Sequence, residues 1–331
     1  MAGLVGCAPQ VAGPPAQIRG ETMGTYYAVT FPEEQGDSVR LLAGIDSTLI
    51  ALNASLSTYI PEALISQLNA SADTAEVFVL DEHFVRVWER SVEIHAATDG
   101  AFNPALGPLI TAWGFGPDLE QRRGEVNVDS LLSLTRLDAF VYTPASGSDP
   151  AMMRKKLAGA TLDFSAIAKG YGVDLVGEYL QSRGVTDYFI DIGGEVVTRG
   201  QHPEGRPWRV GIERPSPDER AVQRVLDLGD AALASSGNYR NFYVVDGRRI
   251  VHTINPETGL PETSNLLGVS VTAPDCMTAD AYATAFMVMG YELAQALVEQ
   301  DSALDALFIL GGEEEGAYEE RGTLGSEEVE P

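Results

Sequence analysis

The sequence predicts an α+β fold of mixed sheets with flanking helices, and three observations carry that expectation. Segments with strand periodicity and segments with helical periodicity interleave along the 331 residues. Hairpins are frequent: 187-DYFIDIGGEVVTRG-200 reads as strand, Gly-Gly turn, strand, and 246-DG-247 sits between two further alternating runs. Parallel strand–helix–strand crossovers are not evident, which argues against a doubly wound sheet.

In chain order, residues 1–20 are expected to form a flexible leader remnant and tether, rich in Pro, Gly and Ala. Next, 23-MGTYYAVTF-31 alternates and is β-branched or aromatic, hence a strand. Residues 37–54 place Val39, Leu42, Ile45, Leu49 and Leu52 at helical spacing, and 55–71 is irregular with a helical end. Phe84, Val87, Trp88, Ser91, Val92 and His95 recur as one face of a helix over 81–98. Gly and Pro punctuate 99-DGAFNPALGPLITAWGFG-116 into a loop before a short apolar helix, and 117–150 is polar with two short periodic pieces.

The stretch 161-TLDFSAIAKGYGVDLV-176 starts like a buried strand and continues as a helix to residue 184. After the 187–200 hairpin, 208-WRVGIERP-215 is a strand, 232–261 is strand, loop, hairpin and loop, 266-LLGVSVTAP-274 is a strand, and 277–299 is a helix. Residues 316–323 alternate loosely as an edge strand. The last residues, 326–331, are expected to be an acidic tail outside a main body spanning 21–325.

Net charge is −26, which repels phosphate backbones and disfavours nucleic acid as a partner. A site for a phosphorylated ligand then needs local compensation from lysine, backbone N–H groups or a metal. The two cysteines, Cys7 and Cys276, do not make a disulfide framework. Cys276 reads as a small semi-buried thiol. Cys7 closes 4-LVGC-7, which resembles the lipobox of bacterial lipoproteins, although only MAGLVG precedes it. There is no C-x-x-C, H-E-x-x-H, G-x-S-x-G, P-loop or G-x-G-x-x-G after a strand, so zinc chemistry, Ser triads and Rossmann cofactors lack support.

Two segments hold polar groups that a plain core element does not need. On the 277–299 helix, Asp280 and Thr284 lie one turn apart on one face and can offer two hard oxygens to Mg²⁺. Taken alone, the pair reads equally as a first-turn aspartate favoured by the helix dipole with a packed threonine. At 161–176, Asp163 precedes the strand-to-helix turn at Ser165 and Ala166, and Lys169 stands at a helix start, where the dipole disfavours a cation. Such a lysine either faces an anion or forms a surface pair with Asp163.

Eight segments together, in this order, resemble the ApbE-type FAD:protein FMN transferases: MGTYYAV, LSTYIPEALISQLN, DGAFNPALGPLITAWGFG, LDFSAIAKGYGVDLV, DIGGEVVTRG, WRVGIERP, SSGNYRNFYVVDGRRIVHTINPETG and MTADAYATAFMVMG. They cover most of residues 22–290. The resemblance implies a T-fold-related domain with an FAD cleft between subdomains. It implies Mg²⁺-dependent transfer of FMN from FAD to a Thr or Ser hydroxyl of a target protein, with release of AMP. A pyrophosphatase that gives FMN and AMP, or a non-catalytic flavin-binding lipoprotein, are the competing readings. Implied acceptors are subunits of membrane redox complexes of the sodium-pumping Nqr or Rnf type. The implied setting is the periplasm, with an inner-membrane lipid anchor at Cys7.

By the same resemblance, Asp280, Thr284 and the backbone carbonyl of Ala166 ligate the metal. Met23, Tyr59, Ala101, Phe102, Asn103, Asp163, Lys169, Ser236, His252 and Ile254 contact the flavin nucleotide. His252 and Lys169 act on the phosphates, His252 as a base for the incoming hydroxyl or as an orienting donor. Ser235, Ser236 and Gly237 correspond to a turn lining the cleft. The sequence departs from the family at Asn103, where Asp is frequent, at Ser165–Ala166, where Gly-Gly is frequent, and at Ser235, where Thr is frequent. None of these changes removes a metal ligand.

Overall fold

The frame is an eight-stranded sheet that begins at β1 (Ala16–Thr22) and turns back into β2 (Thr25–Phe31). Met23 and Gly24 make the turn with φ of 50° and 71°, the left-handed pair that a two-residue hairpin requires. The strand expected over 23–31 therefore starts later. Residues 16–20, expected in the tether, belong to an edge strand with Ile18 buried.

The computed structural model describes residues 14–116, 126–215, 222–238, 242–245, 248–312, 314, 317–325 and 327–328. Three small sheets stand beside the large one. The first orders β3 (Phe78–Val79), β5 (Met152–Lys155) and β4 (Phe140–Thr143). From β2 the large sheet continues through β6 (Tyr188–Ile192) and β7 (Glu195–Arg199). The second small sheet orders β16 (Glu327–Glu328), β9 (Val222–Leu228) and β8 (Trp208–Glu213). Then β10 (Ala232–Gly237) joins the large sheet. The third is the hairpin β11 (Phe242–Val245) with β12 (Arg248–Val251), whose turn at 246–247 lies outside the described residues, as does Cys7. Last come β13 (Leu266–Ala273), β14 (Asp305–Gly311) and β15 (Tyr318–Gly322). Every pairing in the large sheet is antiparallel, so the α+β expectation holds.

Helices α1 (Ser38–Leu56), α6 (Ala168–Ser182) and α7 (Cys276–Gln300) cover one face of that sheet. Tyr27, Val29, Ile190 and Ile192 point to them and meet Ile45, Leu49, Val173 and Val176. Helix α1 is long and apolar enough to cross a membrane. Its Leu41, Ile45, Leu49, Leu52 and Leu56 are buried at helical spacing, the stripe of a packed core helix. Helices α2 (Leu64–Ala70), α3 (Glu82–Ala97), α4 (Gly107–Ala112) and α5 (Val128–Leu132) complete the helical side. The opposite face of the sheet packs Val196, Leu233 and Leu307 against Val210, Ile212, Leu226 and Leu228 of β8 and β9.

The segment 161–164 corrects the sequence reading. Leu162 and Phe164 are buried as a strand reading requires, but among the described residues no strand pairs with them. Instead the Asn69 amide takes the place of a neighbouring strand: its Nδ2 donates to the Leu162 carbonyl and its Oδ1 accepts from the Leu162 N–H, each at 2.8 Å. Asp163 N–H donates to the Pro104 carbonyl at 2.8 Å. Buried backbone is satisfied without a ladder, and residue periodicity cannot distinguish the two cases.

Candidate active site

Helices α6 and α7 meet at their N-terminal ends, and Gly170 is why they can. A Cβ on Gly170 would lie 2.2 Å from the Cys276 carbonyl oxygen and 2.9 Å from Asp280 Cβ. That approach lets the Gly170 N–H donate to Asp280 Oδ2 at 3.0 Å. In a regular helix the same N–H would seek the carbonyl four residues back, which is that of Ala166. Among the described residues no hydrogen bond reaches the Ala166 carbonyl, and the Gly170 N–H goes to Asp280 instead. Gly170→Ala is expected to force the helix ends apart. Overpacking of this kind costs about 1–3 kcal/mol, read as a lower melting temperature, and turnover should fall with it.

Lys169 lies in the first turn of α6, and its Nζ is 2.5 Å from Glu195 Oε1. The anions that this misplaced cation faces are the protein's own. Burial works against the Lys169 charge, but Asp280 and Glu195 outweigh it and hold the ammonium above its ordinary range. Burial raises both carboxyls against the pull of Lys169, Glu195 to about 7. Asp280 is 3% exposed and Glu195 is also buried, and among the described residues its Oε2 has no hydrogen-bond partner. Two buried carboxylates thus share one ammonium, an arrangement one positive charge short of neutrality.

Glu195 was not singled out by sequence. The available signal was a glutamate directly after Gly193–Gly194 at the start of an otherwise apolar strand. Asp174, on the next turns of α6, accepts the Cys276 and Met277 N–H groups at 2.8 Å each. Burial pushes its carboxyl up to about 7 despite those bonds. Cys276 is buried and its thiol is raised by burial and the surrounding carboxylates, which suits an inert packed residue.

These shifts fix the sign of a pH effect. Between the unfolded carboxyl values, near 4, and about 7, the folded chain binds protons at Glu195 and Asp174 that the unfolded chain has lost. Stability therefore falls as pH rises through that window. Melting in chelator-containing buffer is expected to be higher at pH 5 than at pH 8 as far as these groups decide it, and Asp174→Asn should flatten the slope.

The positions expected to ligate a metal present donors suited to a hard divalent cation. Asp280 and Thr284 are one turn apart on α7, and Thr284 Oγ1 is 3.3 Å from Ser236 Oγ on β10. A carboxylate, a hydroxyl and a carbonyl are the oxygen donors Mg²⁺ prefers. The unbalanced buried charge around Asp280 calls for a cation. Among the described residues no three His, Cys, Asp or Glu side chains converge on a point.

The other expected contacts are placed as follows. Met23 sits at the β1–β2 turn and would meet a Cβ on Gly172. Tyr59 is 69% exposed, and its phenol is raised by partial burial and by the charge of Asp163. Asp163 Oδ1 accepts the Ser165 N–H at 2.7 Å and shapes the turn into α6. In the 101–103 loop, Ala101 is half-buried and Phe102 is a core residue. The Phe102 carbonyl lies 2.7 Å from His95 Nδ1, giving that histidine a supporting role the sequence did not suggest. Asn103 is engaged within the loop: its Nδ2 donates to the Thr135 carbonyl and its Oδ1 accepts from Ala105 N–H, both at 2.9 Å.

His252 follows β12, with its ring 6.3 Å from that of Phe115. Its neighbour Thr253 donates to Asn238 Oδ1 at 2.8 Å, and Asn238 follows the end of β10 that carries Ser236. The loop of His252 is thereby tied to the strand that contacts Thr284. Ile254 is buried with Leu106 and Leu109 beneath that loop, and Trp113 Nε1 donates to the Gly259 carbonyl at 2.8 Å. Ser235, Ser236 and Gly237 form the end of a strand rather than a turn. Strand alternation sends Ser236 toward α7 and Ser235 to the opposite face, where its hydroxyl is 2.8 Å from that of Ser270.

Comparison with known proteins agrees with the fold. A family model described as the ApbE family matches residues 23–308. The chain is 37% identical over 299 residues to a Vibrio cholerae protein named FAD:protein FMN transferase, covering 89% of this chain and 87% of that one. An Escherichia coli protein of the same name is 34% identical over 287 residues, covering 86% and 81%. Among solved structures, the flavin transferase ApbE from Vibrio cholerae superposes with a TM-score of 0.83 at 34% identity, over 94% of this chain and 98% of that one. The apo flavinyl transferase ApbE from Pseudomonas stutzeri gives 0.81 at 30% identity, over 93% and 94%.

Proposed function

Since this chain belongs to the ApbE family, we infer that the junction of α6 and α7 is where it transfers FMN from FAD to a target protein. The observation that carries the assignment is the buried Asp280 carboxylate, which takes the Gly170 N–H, while among the described residues no hydrogen bond reaches the Ala166 carbonyl.

In the reaction, a Thr or Ser hydroxyl oxygen of the acceptor bonds to the FMN phosphorus. The bond from that phosphorus to the bridging oxygen breaks, and AMP leaves with that oxygen. The hydroxyl proton passes to a base, which we assign to His252. Asp280, Thr284 and the Ala166 carbonyl would hold Mg²⁺, which supplies charge neutralisation at the phosphoryl oxygens. Lys169, kept protonated by Asp280 and Glu195, adds a fixed positive charge next to the same site. Together these offset the net charge of −26 where a dinucleotide must bind. Tyr59, exposed beside Asp163, offers a ring for the flavin to stack on. Met23, Ala101, Phe102, Asn103, Ser236 and Ile254 shape the rest of the nucleotide site.

The acceptor is a subunit of a membrane redox complex of the Nqr or Rnf type. The LVGC sequence supports placement at the periplasmic side of the inner membrane through lipid on Cys7. The test is AMP release from FAD in the presence of an Rnf-type acceptor domain, with Mg²⁺ or with excess chelator. Release that needs both Mg²⁺ and the acceptor supports the assignment. Equal release in chelator would refute the metal set.

A further inference from the structure

Helix α1 is apolar on both sides. Leu41, Ile45, Leu49 and Leu52 face the core, and Val39, Ala43, Ser47, Ile50 and Ala54 lie on the opposite side at helical spacing. All five are exposed, Val39 by 77% and Ile50 by 68%. The outer side of a surface helix ordinarily carries charge, and here Ser47 is the one polar residue of the five. The chain holds 48 Asp and Glu, yet α1 holds one acid, Asp46, whose Oδ1 accepts the Tyr27 hydroxyl at 2.6 Å. Glu33, Glu34 and Asp37 precede the helix, and Asp37 is about 20 Å from residue 50 at the helical rise.

The place of α1 in the molecule says what covers this side. Strand β1 lies beneath it: Ile18 shares a core with Leu41, Ile45 and Leu49, and Ala16 packs against them. Cys7 comes nine residues before Ala16. Nine residues span at most about 30 Å, so a lipid on Cys7 keeps the α1 side of the protein within that distance of a bilayer. The C-terminal half of α1 is also the part next to the phosphoryl site. A Cβ on Gly172, three residues past Lys169, would lie 3.2 Å from both Leu52 Cδ2 and Met23 Cε.

We propose that the outer face of α1 seats in the headgroup boundary of the bilayer that holds the Cys7 lipid. An apolar helix face lies at that boundary, and a stripe without acids avoids the repulsion that a net charge of −26 meets at anionic lipid. The inference rests on the anchor at Cys7 and on the transferase reading. It gives the anchored enzyme one orientation, with the α6–α7 junction close to the membrane in which the acceptor's complex stands.

The test supplies the anchor chemically. Cys276 is buried, so a maleimide lipid couples the full chain through Cys7 to vesicles of phosphatidylethanolamine and phosphatidylglycerol. Ile50→Trp adds an indole to the outer face, and a lipid with a nitroxide on its acyl chain quenches indoles that enter the bilayer. Ala43→Trp is a second position should the first fail to fold. The nitroxide is expected to remove about half or more of the emission that Ile50→Trp adds. It should remove less than about a tenth of that added by Val222→Trp, an exposed position on β9 at the opposite face of the sheet. Adding Ala54→Glu, one turn from residue 50, should cut the quenching of Ile50→Trp about threefold or more. Equal quenching at the two positions, or none at either, overturns the proposal. So does a doubled mass in vesicle-free solution that Ile50→Glu returns to that of one chain, because a second copy would then cover the face. A chain taken from cell membranes without an acyl group on Cys7 would refute the anchor itself, which is a different result from an anchored chain whose α1 stays in water.

Discussion

Asp280→Asn is expected to lower Mg²⁺-dependent AMP release from FAD by roughly a thousandfold or more, the loss that follows when a preorganised charge-stabilising group is removed from a phosphoryl site. The same substitution should not destabilise the metal-free protein. Burial raises the Asp280 carboxyl against the pull of Lys169 and the Gly170 N–H, so its ionised form opposes folding. Asparagine keeps an oxygen for the Gly170 N–H, now 3.0 Å from Asp280 Oδ2, and removes the charge. Melting in chelator is therefore expected to be unchanged or higher, with the gain growing as pH rises above the ordinary carboxyl range. A structural aspartate would behave in the opposite way, with stability lost along with activity. Undiminished turnover in Asp280→Asn would exclude the carboxylate from the metal set.

Lys169→Met is the second large effect, and there stability and activity should fall together. It leaves Asp280 and Glu195 buried without a counter-charge. Breaking a buried pair from one side costs about 3–5 kcal/mol, and the lower end applies because the Lys169 side chain is 32% exposed. The loss should be greater at pH 8 than at pH 5, where the raised carboxyls take up protons. Adding Glu195→Gln should recover much of the stability, since one buried negative charge and its orphaned Oε2 disappear. It should not recover turnover, because the positive charge proposed to act on the phosphates is still missing. Recovery of both would mean that Lys169 acts only to neutralise Glu195.

Several residues that meet at the α6–α7 junction carry local signatures in the sequence. Asp280 and Thr284 share a helix face through their spacing alone, and Lys169 stood out at a helix start where the dipole disfavours it. What escaped was set by long-range contact. Glu195 reads as an ordinary polar residue after a turn, and only the pairing of β6, β7 and β10 buries it under α6. The strand expected at 161–164 fails because a side-chain amide, Asn69, can satisfy the same backbone groups as a neighbouring strand. β14 was not anticipated because its core, ALFIL, is an unbroken apolar run without alternation. The serines of β10 show the limit of resemblance: matching residues suggested a turn, and strand alternation sends Ser235 and Ser236 to opposite faces.

The central claim is that the phosphoryl group goes to a protein hydroxyl and not to water. The most direct measurement is the intact mass of the Rnf-type acceptor domain after incubation with this protein, FAD and Mg²⁺, alongside quantified AMP. The account predicts that the acceptor gains the mass of one FMN phosphoester for each AMP released, and that neither product forms with Asp280→Asn. AMP released in step with free FMN, while the acceptor mass stays unchanged, would contradict it.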